Sequence, residues 1–508
     1  MQRLKLSELP AMLDAVIVGG GITGAGILNA TTRTGANVLL VEQNDFASGT
    51  SSWSSKLVHG GLRYLKSGQW RLTLESVRER QRLMVEAPGL VEPLRFLMPL
   101  YRGRKPGRLL MSIGLWLYDR MAGTRRSRWL DAGELLSQEA SIRKPDLLGA
   151  VSYEDARTDD ARLVLRLILE AMANGGKAIN YARAEILKEG ERVTGVRLTD
   201  TISGESREIQ AKVVINATGA WAGTLPGAPQ GAPPLRPLRG SHLVFAPSVL
   251  PLRQAVSWLH PRDGRPVFAY PWESVVIYGT TDLDHDGALD HPTMTSGEVA
   301  YLIEGLDFQF PELRLKSSDA LCVYSGVRPI VSSGKDDPSA ESRESAMWSG
   351  PGWVSITGGK LTTFRVTACE VLSVAAMQVP QLQPSTETSV FRRATDATVP
   401  GRLQGRLGAA AKSLLEQFPE EAMQPVATSP YTWAELRWAL RHEQVMHLTD
   451  LLMRRTRIGL VVEQGGRALL PKIAALCREE LGWDETRWTL EERDYLAQWQ
   501  RYHAVPTA

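Results

Sequence analysis

A short apolar run near the start of the chain predicts a buried strand that leads into a turn. Residues Asp14 to Val18 read DAVIV, and five glycines follow within the eight positions from Gly19 to Gly26. A helical pattern begins at Ile22 and extends to about Thr34, and a second apolar run covers Asn37 to Glu42. Strand, glycine turn, helix and strand in this order predict the first unit of a parallel sheet.

The glycine turn matches the fingerprint of dinucleotide-binding proteins. In that fingerprint Gly19 makes the tight turn, Gly21 lets the backbone approach a pyrophosphate, and Gly24 allows close packing of helix and strand. The N-terminus of the helix adds partial positive charge, and Glu42 ends the second strand, where a carboxylate accepts ribose hydroxyls. The pattern therefore predicts a bound adenine dinucleotide and leaves NAD and FAD open.

Three later segments carry small and polar residues that suit the same cofactor. They are Thr50 to Leu65 (TSSWSSKLVHGGLRYL), Ala211 to Gly223 (AKVVINATGAWAG) and Trp353 to Arg365 (WVSITGGKLTTFR). The last two are apolar strands that run into glycine, and the first is a polar loop of a kind that often carries function. Because these segments lie far apart in the chain, we expect a nucleotide domain assembled from discontinuous pieces.

A different pattern begins at Ser241, where short apolar strands follow one another closely. The strands are predicted at 241–246, 255–260, 266–272 and 274–281, with a hairpin turn at Asp263 and Gly264. This spacing predicts a mainly antiparallel sheet. Prolines between about 378 and 400 indicate a linker, and helical patterns dominate from there to the end.

Composition agrees with a large globular protein. The chain has 508 residues, 43% of them hydrophobic and 23% charged, which suits two or three domains. Its three cysteines, Cys322, Cys369 and Cys477, are far apart, which argues against disulfides and favours a reducing, cytoplasmic compartment. The N-terminus lacks the pattern of a secretory signal, and the uncharged stretch 15–32 holds too many glycines for a membrane-spanning helix.

Positive charge is concentrated in one segment. The formal net charge is +3, but residues 61–130 hold 15 Lys or Arg against 5 Asp or Glu. Basic residues between Arg102 and Arg108 and between Arg120 and Arg128 flank an apolar run from Leu109 to Leu117. The two basic clusters lack the interleaved aromatic residues of a nucleic-acid binder, so they predict contact with an anionic membrane surface rather than with nucleic acid. A solvated basic face over a core helix is the alternative.

Two patterns approach known metal motifs and fall short of them. Residues 282–287 match the start of an EF-hand loop, but Thr293 stands where a bidentate glutamate is required. His442 and His447 are five residues apart, so a helix would not stack them as a zinc site requires. We therefore predict no metal.

Taken together, the motifs resemble the FAD-dependent glycerol-3-phosphate dehydrogenases, a family in the D-amino-acid oxidase-like flavoprotein superfamily. The resemblance covers residues 12 to about 370 and is weaker in the C-terminal part, where Thr432 to Leu460 are similar to a helical cap. It rests on GGGITGAG at 19–26, TSSWSSKLVHGGLRYL at 50–65, DDARL at 159–163, NATGAW at 216–221, RGSH at 239–242, YGTTD at 278–282, YSGVRP at 324–329 and GGKLTT at 358–363.

This resemblance implies an α/β fold with three parts. They are a discontinuous Rossmann-type FAD domain, an antiparallel-sheet substrate domain and a C-terminal helical cap domain. The FAD domain is expected at 12–80, 150–235 and 320–378, the substrate domain at 81–149 and 236–319, and the C-terminal helical domain at 400–508.

The resemblance also implies the chemistry. We expect hydride transfer from sn-glycerol 3-phosphate to noncovalent FAD, giving glycerone phosphate, with electrons passed to membrane quinone in glycerol and glycerophospholipid catabolism. The enzyme is expected on the inner face of the cytoplasmic membrane, as a peripheral protein with a homodimer as one option and no nucleic-acid partner. An oxidase that uses O₂ or an amine substrate, and a noncatalytic flavin-dependent sensor or scaffold, are the alternatives.

The residues expected to contact FAD lie in the glycine-rich and polar segments described above, with a few neighbours. They are Gly19, Gly21, Ile22, Thr23, Gly24, Glu42, Gln43, Thr50, Ser51, Ser52, Ser55, Lys56, Leu57, His59, Gly61, Ala184, Thr218, Gly219, Trp221, Arg328, Gly358, Gly359, Lys360, Leu361 and Thr362. A covalent link from His59 to the flavin is the alternative to noncovalent binding.

Six residues are expected to bind the substrate, and three of them, Arg328, His242 and Lys360, to take part in catalysis. The six are Arg63, Tyr64, His242, Thr281, Arg328 and Lys360. Arg63 suits a phosphate, and Arg328 by resemblance orients the substrate and stabilises negative charge at O2. His242 suits a general base, and Lys360 suits the negative charge on a reduced flavin. Structural ion pairs for Arg63, Arg328 and Lys360, and a histidine satisfied within the sheet for His242, are the alternatives.

Overall fold

The fold consists of two sheets and a helical C-terminal part, as seen in a computed structural model that describes residues 3–61, 70–334, 341, 344–385, 389–392 and 396–506. The strands are β1 Met12–Val18, β2 Val38–Val41, β3 Leu57–Val58, β4 Val91–Tyr101, β5 Arg128–Asp131, β6 Leu147–Thr158, β7 Lys177–Ile179, β8 Ala182–Glu189, β9 Arg192–Asp200, β10 Ser206–Asn216, β11 Leu235–Phe245, β12 Ala255–Leu259, β13 Pro266–Trp272, β14 Val275–Gly279, β15 Leu283–Asp284, β16 Ala320–Val331, β17 Ser345–Gly350 and β18 Trp353–Gly358. The helices are α1 Ile22–Thr31, α2 Trp70–Glu86, α3 Arg108–Ala122, α4 Ala132–Gln138, α5 Asp160–Ala173, α6 Ser296–Gln309, α7 Phe364–Ala376, α8 Gly401–Leu407, α9 Ala410–Gln417, α10 Trp433–His442, α11 Leu448–Asp450, α12 Ile458–Val461, α13 Leu470–Leu481 and α14 Glu485–Tyr502.

The first sheet contains the predicted strand–helix–strand unit. Its order is β17-β18-β10-β1-β2-β7, and all of these strands except β17 run parallel. Helices α1, α5 and α7 share one core with this sheet, represented by Ile27, Leu163 and Phe364. Because helices and strands enclose β2, all four of its residues are buried rather than alternating. The helix predicted to reach Thr34 ends at Thr31, where a turn begins.

The second sheet is antiparallel at every pairing except that of β12 with β4, as its short strands predict. Its order is β15-β11-β14-β13-β12-β4-β6-β3, with β16 also paired to β11 and β5 paired to β6. The predicted hairpin joins β12 to β13, and Gly264 adopts φ +70° in it. The α/β fold class with a helical C-terminal part is therefore confirmed.

The pairing of strands in the two sheets does not follow the predicted domain boundaries. β6 and β16 fall in segments assigned to the FAD domain, but their hydrogen bonds join them to β4 and β11 of the second sheet. Long-range strand pairing thus joins β6 and β16 to the second sheet, and the domain boundaries stay a prediction.

The C-terminal helices share a core with the second sheet. Tyr270 and Tyr324 of the sheet belong to the same buried cluster as Leu436, Ile473 and Trp488 of the helices. Burial of this many large apolar side chains is the main force that holds the two parts together.

Buried ion pairs also fix the C-terminal part against the first sheet and its helices. Their N···O distances are 2.9 Å for Arg457–Asp159, 3.0 Å for Arg406–Asp159, 2.8 Å for Arg455–Asp45 and 2.7 Å for Arg162–Glu443. All of these side chains are almost fully buried. Charges this far from water require their partners, so the pairs specify one docked arrangement.

Candidate active site

A cavity of 1580 Å³ runs between the two sheets. One end is formed by the glycine turn after β1 and by the ends of β10 and β18, and the other end reaches α3. Its middle section is lined by residues of the second sheet. Clefts at the carboxyl ends of parallel strands are the usual binding sites of such folds.

The glycine turn forms a backbone cradle at the first end of the cavity. Gly19 has φ +115°, and a Cβ there would lie 2.6 Å from the carbonyl oxygen of Ala217. A Cβ on Gly24 would lie 1.9 Å from the oxygen of Gly19, so helix and strand pack as closely as the motif predicts. Gly21 caps α1 without a side-chain hydrogen bond, which leaves the helix N-terminus suited to an anion.

Glu42 and Ser51 border this cradle. Glu42 accepts hydrogen bonds from the backbone N–H groups of Gly20 at 2.7 Å and Asn44 at 2.9 Å, and burial raises the pKa of its carboxyl. Ser51 Oγ accepts from the N–H of Ile22 at 2.9 Å. These contacts fix the carboxylate at the cavity wall, where the sequence predicts a ribose acceptor.

The later glycine segments meet the same cradle. Gly219 follows β10 at φ +61°, and no atom lies within 4 Å of a Cβ built on it. Gly358 is the last residue of β18 and Gly359 follows it, at φ +76° and +78°. Because β18, β10 and β1 are adjacent parallel strands, their carboxyl ends, with the glycines found there, lie at the same edge of the sheet. The cradle, the helix N-terminus and the open space fit an adenine dinucleotide.

Most of the residues predicted to contact FAD line the cavity. They are Gly19, Gly21, Ile22, Thr23, Glu42, Gln43, Thr50, Ser51, Ser55, Leu57, His59, Gly61, Ala184, Thr218, Gly219, Trp221, Arg328, Gly358, Gly359, Lys360, Leu361 and Thr362. Three others do not line it. Gly24 is enclosed in the helix–strand contact, Ser52 Oγ donates to the Ala47 carbonyl at 2.6 Å, and Lys56 is fully buried.

Lys56 belongs to a buried charge network instead of facing the cofactor. Its Nζ donates to Asp160 Oδ1 at 2.9 Å and to the Ser52 carbonyl at 2.8 Å, and it lies 4.8 Å from the centre of the Tyr324 ring. Burial, together with the nearby Arg457 guanidinium, lowers the pKa of Lys56 to about 8. The side chain thus ties the loop to α5.

Arg328 lines the cavity next to the loop that begins at Thr50, where the sequence predicts several contacts with FAD. The hydroxyl of Thr50 donates to the Val327 carbonyl at 2.6 Å, which joins that loop to β16. Arg328 Nη1 donates to Asp282 Oδ1 at 3.0 Å, and Nη2 donates to Thr280 Oγ1 at 3.2 Å. Because two fixed acceptors hold it, the guanidinium presents a preorganised cation to the cavity.

His242 lies behind the cavity wall and does not line it. The ring is fully buried and stacks on Tyr324 with 4.6 Å between ring centres. Its Nε2 is 2.9 Å from the hydroxyl oxygen of Ser55, which does line the cavity. Burial and the charge of Arg328 hold the pKa of His242 well below its ordinary value, so the ring is neutral at pH 7.

Thr281 also points into the protein rather than into the cavity. Its hydroxyl donates to Glu298 Oε1 at 2.8 Å and accepts from the Ser241 N–H at 3.0 Å. Both contacts are buried, so Thr281 supports the strand end next to Thr280. Arg63 and Tyr64, the other predicted substrate residues, lie outside the described residues.

Two residues next to Arg328, Asp282 and Gly240, were not predicted as site residues. Asp282, which ends the YGTTD motif and begins the rejected calcium loop, pairs with Arg328 and with Arg265. Gly240 leaves room for Arg328, since a Cβ there would lie 2.3 Å from its Nη2. Within the described ranges, no three His, Cys, Asp or Glu residues are grouped to hold a metal.

The far end of the cavity opens onto the apolar face of α3. Leu110 and Ile113 line the cavity although they are 67% and 55% exposed. Leu109 and Trp116, 75% and 59% exposed, extend this face without lining the cavity. Further in, the wall is apolar and includes Phe268.

Basic side chains surround this apolar face. Arg102, Arg104, Lys105 and Arg108 are exposed just before and at the start of α3. Farther along, Arg126 pairs with Glu154, and Arg128 pairs with Glu134 at 2.9 Å, so the second basic group is partly neutralised. Of the helices that the structure describes, none has both the length and the hydropathy to cross a membrane.

Comparisons with known proteins agree with this geometry. Residues 14–365 match the family described as FAD dependent oxidoreductase, and residues 371–488 match the C-terminal domain of alpha-glycerophosphate oxidase. The chain is 34% identical to an aerobic glycerol-3-phosphate dehydrogenase of Staphylococcus haemolyticus, over 87% of this chain and 86% of that protein. It is 39% identical to an enzyme of the same name from Staphylococcus saprophyticus, over 72% of this chain and 67% of that protein.

A solved structure extends the similarity to nearly the whole chain. The glycerol-3-phosphate dehydrogenase of Bacillus halodurans, complexed with FAD, superposes with a TM-score of 0.77 at 27% identity. The match covers 97% of this chain and 95% of the other.

Proposed function

Because this chain belongs to the FAD dependent oxidoreductases, in the group of the aerobic glycerol-3-phosphate dehydrogenases, we propose that it oxidises sn-glycerol 3-phosphate to glycerone phosphate and passes the electrons to membrane quinone. The observation that carries this proposal is the position of Arg328, whose guanidinium faces the same cavity as the dinucleotide cradle. FAD, when bound in that cradle, supplies the hydride acceptor.

The chain's own groups prepare the alcohol for this transfer. The substrate gives the proton of O2 to the neutral His242 ring through the Ser55 hydroxyl and the hydride of C2 to the bound cofactor, and negative charge develops on O2 as the proton leaves. The fixed guanidinium of Arg328 stabilises that charge, and Lys360 provides a cation at the start of the α7 segment beside the flavin site. We assign His242 an indirect part, in which the neutral ring orients the Ser55 hydroxyl at the cavity wall.

The purified protein tests the proposal directly. We expect a yellow protein whose flavin is released by acid, since FAD is proposed to be noncovalent and His59 unlinked. Anaerobic glycerol 3-phosphate should bleach the flavin, and a quinone should restore the colour faster than O₂ does. Rapid recovery with O₂ alone would instead assign an oxidase, and no bleaching would leave a noncatalytic flavoprotein.

We also propose that the apolar face of α3 rests on the inner surface of the cytoplasmic membrane. A quinone dissolves in lipid, and the cavity reaches this face through Leu110 and Ile113. Exposed basic side chains before and at the start of α3 complement anionic headgroups, each with a contribution of about 1 kcal/mol. An acceptor could thus enter the cavity from the membrane without crossing water.

Polar replacement of this face should release the protein from membranes. We expect the double variant Leu109→Gln, Trp116→Gln to remain in the supernatant when anionic liposomes are pelleted, because exposed apolar area is lost while the cavity lining is intact. Activity with a soluble dye should not change. The matched control is Met423→Gln, an apolar residue elsewhere that is even more exposed, at 82%. Equal pelleting of both variants would place the membrane contact outside α3.

A further inference from the structure

We propose that Glu298 is a positioning residue that holds Arg328 in the orientation needed for flavin reduction. This inference rests on the function proposed above. Glu298 is the third residue of α6, is only 3% exposed and does not line the cavity. Its carboxylate is hydrogen-bonded to the segment that supplies acceptors to Arg328 and, through one serine, to the strand that carries Arg328.

The first contact anchors the segment that supplies the acceptors. Thr280 Oγ1 accepts from Arg328 Nη2 at 3.2 Å, and Asp282 Oδ1 accepts from Nη1 at 3.0 Å. Thr281, the residue between these two acceptors, donates its hydroxyl to Glu298 Oε1 at 2.8 Å. Thr280 and Asp282 line the cavity, whereas Thr281 is buried and does not. An anchor on the middle residue therefore fixes the places of both acceptors.

The second contact reaches the strand that carries Arg328. Ser241 of β11 donates its hydroxyl to Glu298 Oε1 at 2.8 Å, and its oxygen lies 2.7 Å from the hydroxyl oxygen of Ser325. Ser325 is opposite Ser241 in the pairing of β11 with β16, and Arg328 lies three residues farther along β16. One carboxylate thus connects the strand of Arg328 with the segment of its acceptors.

The charge of Glu298 sets the direction of these hydrogen bonds. Although burial opposes it, hydrogen bonds from the Thr295 N–H and from the two hydroxyls hold the pKa of Glu298 below its ordinary value. Arg239 pairs with the same carboxylate at 2.8 Å. An ionised carboxylate only accepts, so both hydroxyls donate to it, and Ser241, having given its one proton, accepts from Ser325. The network therefore permits one set of proton positions and is preorganised.

A double-mutant cycle on flavin reduction tests this proposal. The N–H groups of Glu298→Gln would face either the two hydroxyls or the Thr295 N–H and Arg239, and either orientation removes acceptors that the carboxylate offers. We expect reduction by saturating glycerol 3-phosphate under anaerobic conditions to slow at least about 10-fold, up to the roughly 100-fold limit set by removing Arg328 itself. In an Arg328→Met background the same change should alter the rate less than about twofold, because the group that Glu298 positions is absent.

Glu435→Gln is the matched control, because Glu435 is the third residue of α10 as Glu298 is of α6. It is also buried, accepts from the Thr432 N–H at 2.9 Å, pairs with Arg402 at 2.9 Å and does not line the cavity. Its reduction rate should match that of wild type. Thr281→Val removes one hydroxyl contact without changing Glu298 and should also slow reduction, whereas Thr281→Ser keeps the hydroxyl and should retain the wild-type rate.

Crystal structures of the wild type and of Glu298→Gln, both with FAD, give a second measurement that needs no substrate. We expect the guanidinium of Arg328 to shift by about 1 Å in the variant or to occupy two positions. An unchanged Arg328 would overturn the inference. So would equal slowing by Glu298→Gln with and without Arg328, or equal slowing by Glu435→Gln.

These measurements separate the inference from the proposed function. If glycerol 3-phosphate fails to bleach the flavin of the wild type, the proposed function is refuted, and the crystal structures still decide whether Glu298 positions Arg328. If the wild type is bleached normally but the two substitutions slow reduction independently, the inference is refuted and the proposed function stands.

Discussion

Flavin reduction by glycerol 3-phosphate should be about 100-fold slower in Arg328→Met than in wild type at saturating substrate. The alcohol oxygen is neutral in the ground state and gains negative charge as its proton is removed, before the hydride has fully left C2. A fixed cation therefore contributes more to the transition state than to binding. Losing such a contact costs about 3 kcal/mol, which corresponds to about two decades in rate.

Stopped-flow measurement of flavin bleaching under anaerobic conditions gives this rate directly. Arg236→Met is the matched control, since Arg236 lies on β11, pairs with Asp284 and does not line the cavity. We expect its reduction rate to equal that of wild type. A rate for Arg328→Met within about threefold of wild type would remove Arg328 from the catalytic assignment.

The second large effect is expected on stability, from replacement of Arg457. This fully buried guanidinium bonds Asp159 at 2.9 Å and also pairs with Asp160. Its Nη1 donates to the Met453 carbonyl at 2.8 Å. Removing one partner of a buried ion pair leaves charge without compensation, so Arg457→Met should lower the free energy of unfolding by about 3 to 5 kcal/mol.

Urea unfolding followed by flavin release and by tryptophan fluorescence measures this loss. Arg478→Met is the control, because the Arg478–Glu485 pair is exposed and should contribute less than about 1 kcal/mol. Equal stability of the two variants would contradict the importance of the buried network.

The same network should make the protein sensitive to acid. Although burial opposes it, Arg457 and Arg406 hold the pKa of Asp159 well below its ordinary value. A carboxyl with a depressed folded-state pKa stabilises the protein above its unfolded pKa of about 3.9, and this stabilisation is lost as the pH falls further. In Arg457→Met the loss below about pH 4 should be smaller.

The cofactor end of the site could be predicted from sequence because it is formed by backbone groups rather than by side chains. Gly19, Gly21 and Gly24 act through their own φ angles and their lack of a Cβ, and these properties follow from local sequence. The strands that precede these glycines are short apolar runs buried on both faces. Their burial therefore does not change when their pairing with a neighbouring strand shifts by one residue. Convergence of β1, β10 and β18 then follows from parallel pairing.

The substrate end was less predictable because it depends on side-chain direction across distant strands. His242 and Thr281 point behind the wall, and Lys56 turns toward Asp160. A one-residue change of register would reverse each side chain in a strand, and local pattern does not fix the register. The pairing of Arg265 with Asp282 could not be predicted either, since the two residues are 17 positions apart in different loops.

The discontinuous first sheet has a consequence for biosynthesis. β1 emerges early, but its neighbour β10 ends at Asn216 and the next strand, β18, starts only at Trp353. At 5–20 residues per second, a ribosome needs roughly 15 to 60 s to add the more than 300 residues between β1 and β18. In that interval β1 and β2 have only each other as partners until β7 and β10 are made, and β10 then lacks its neighbour β18 until the interval ends. The nascent chain must therefore be shielded from aggregation, most of all when translation pauses before Trp353.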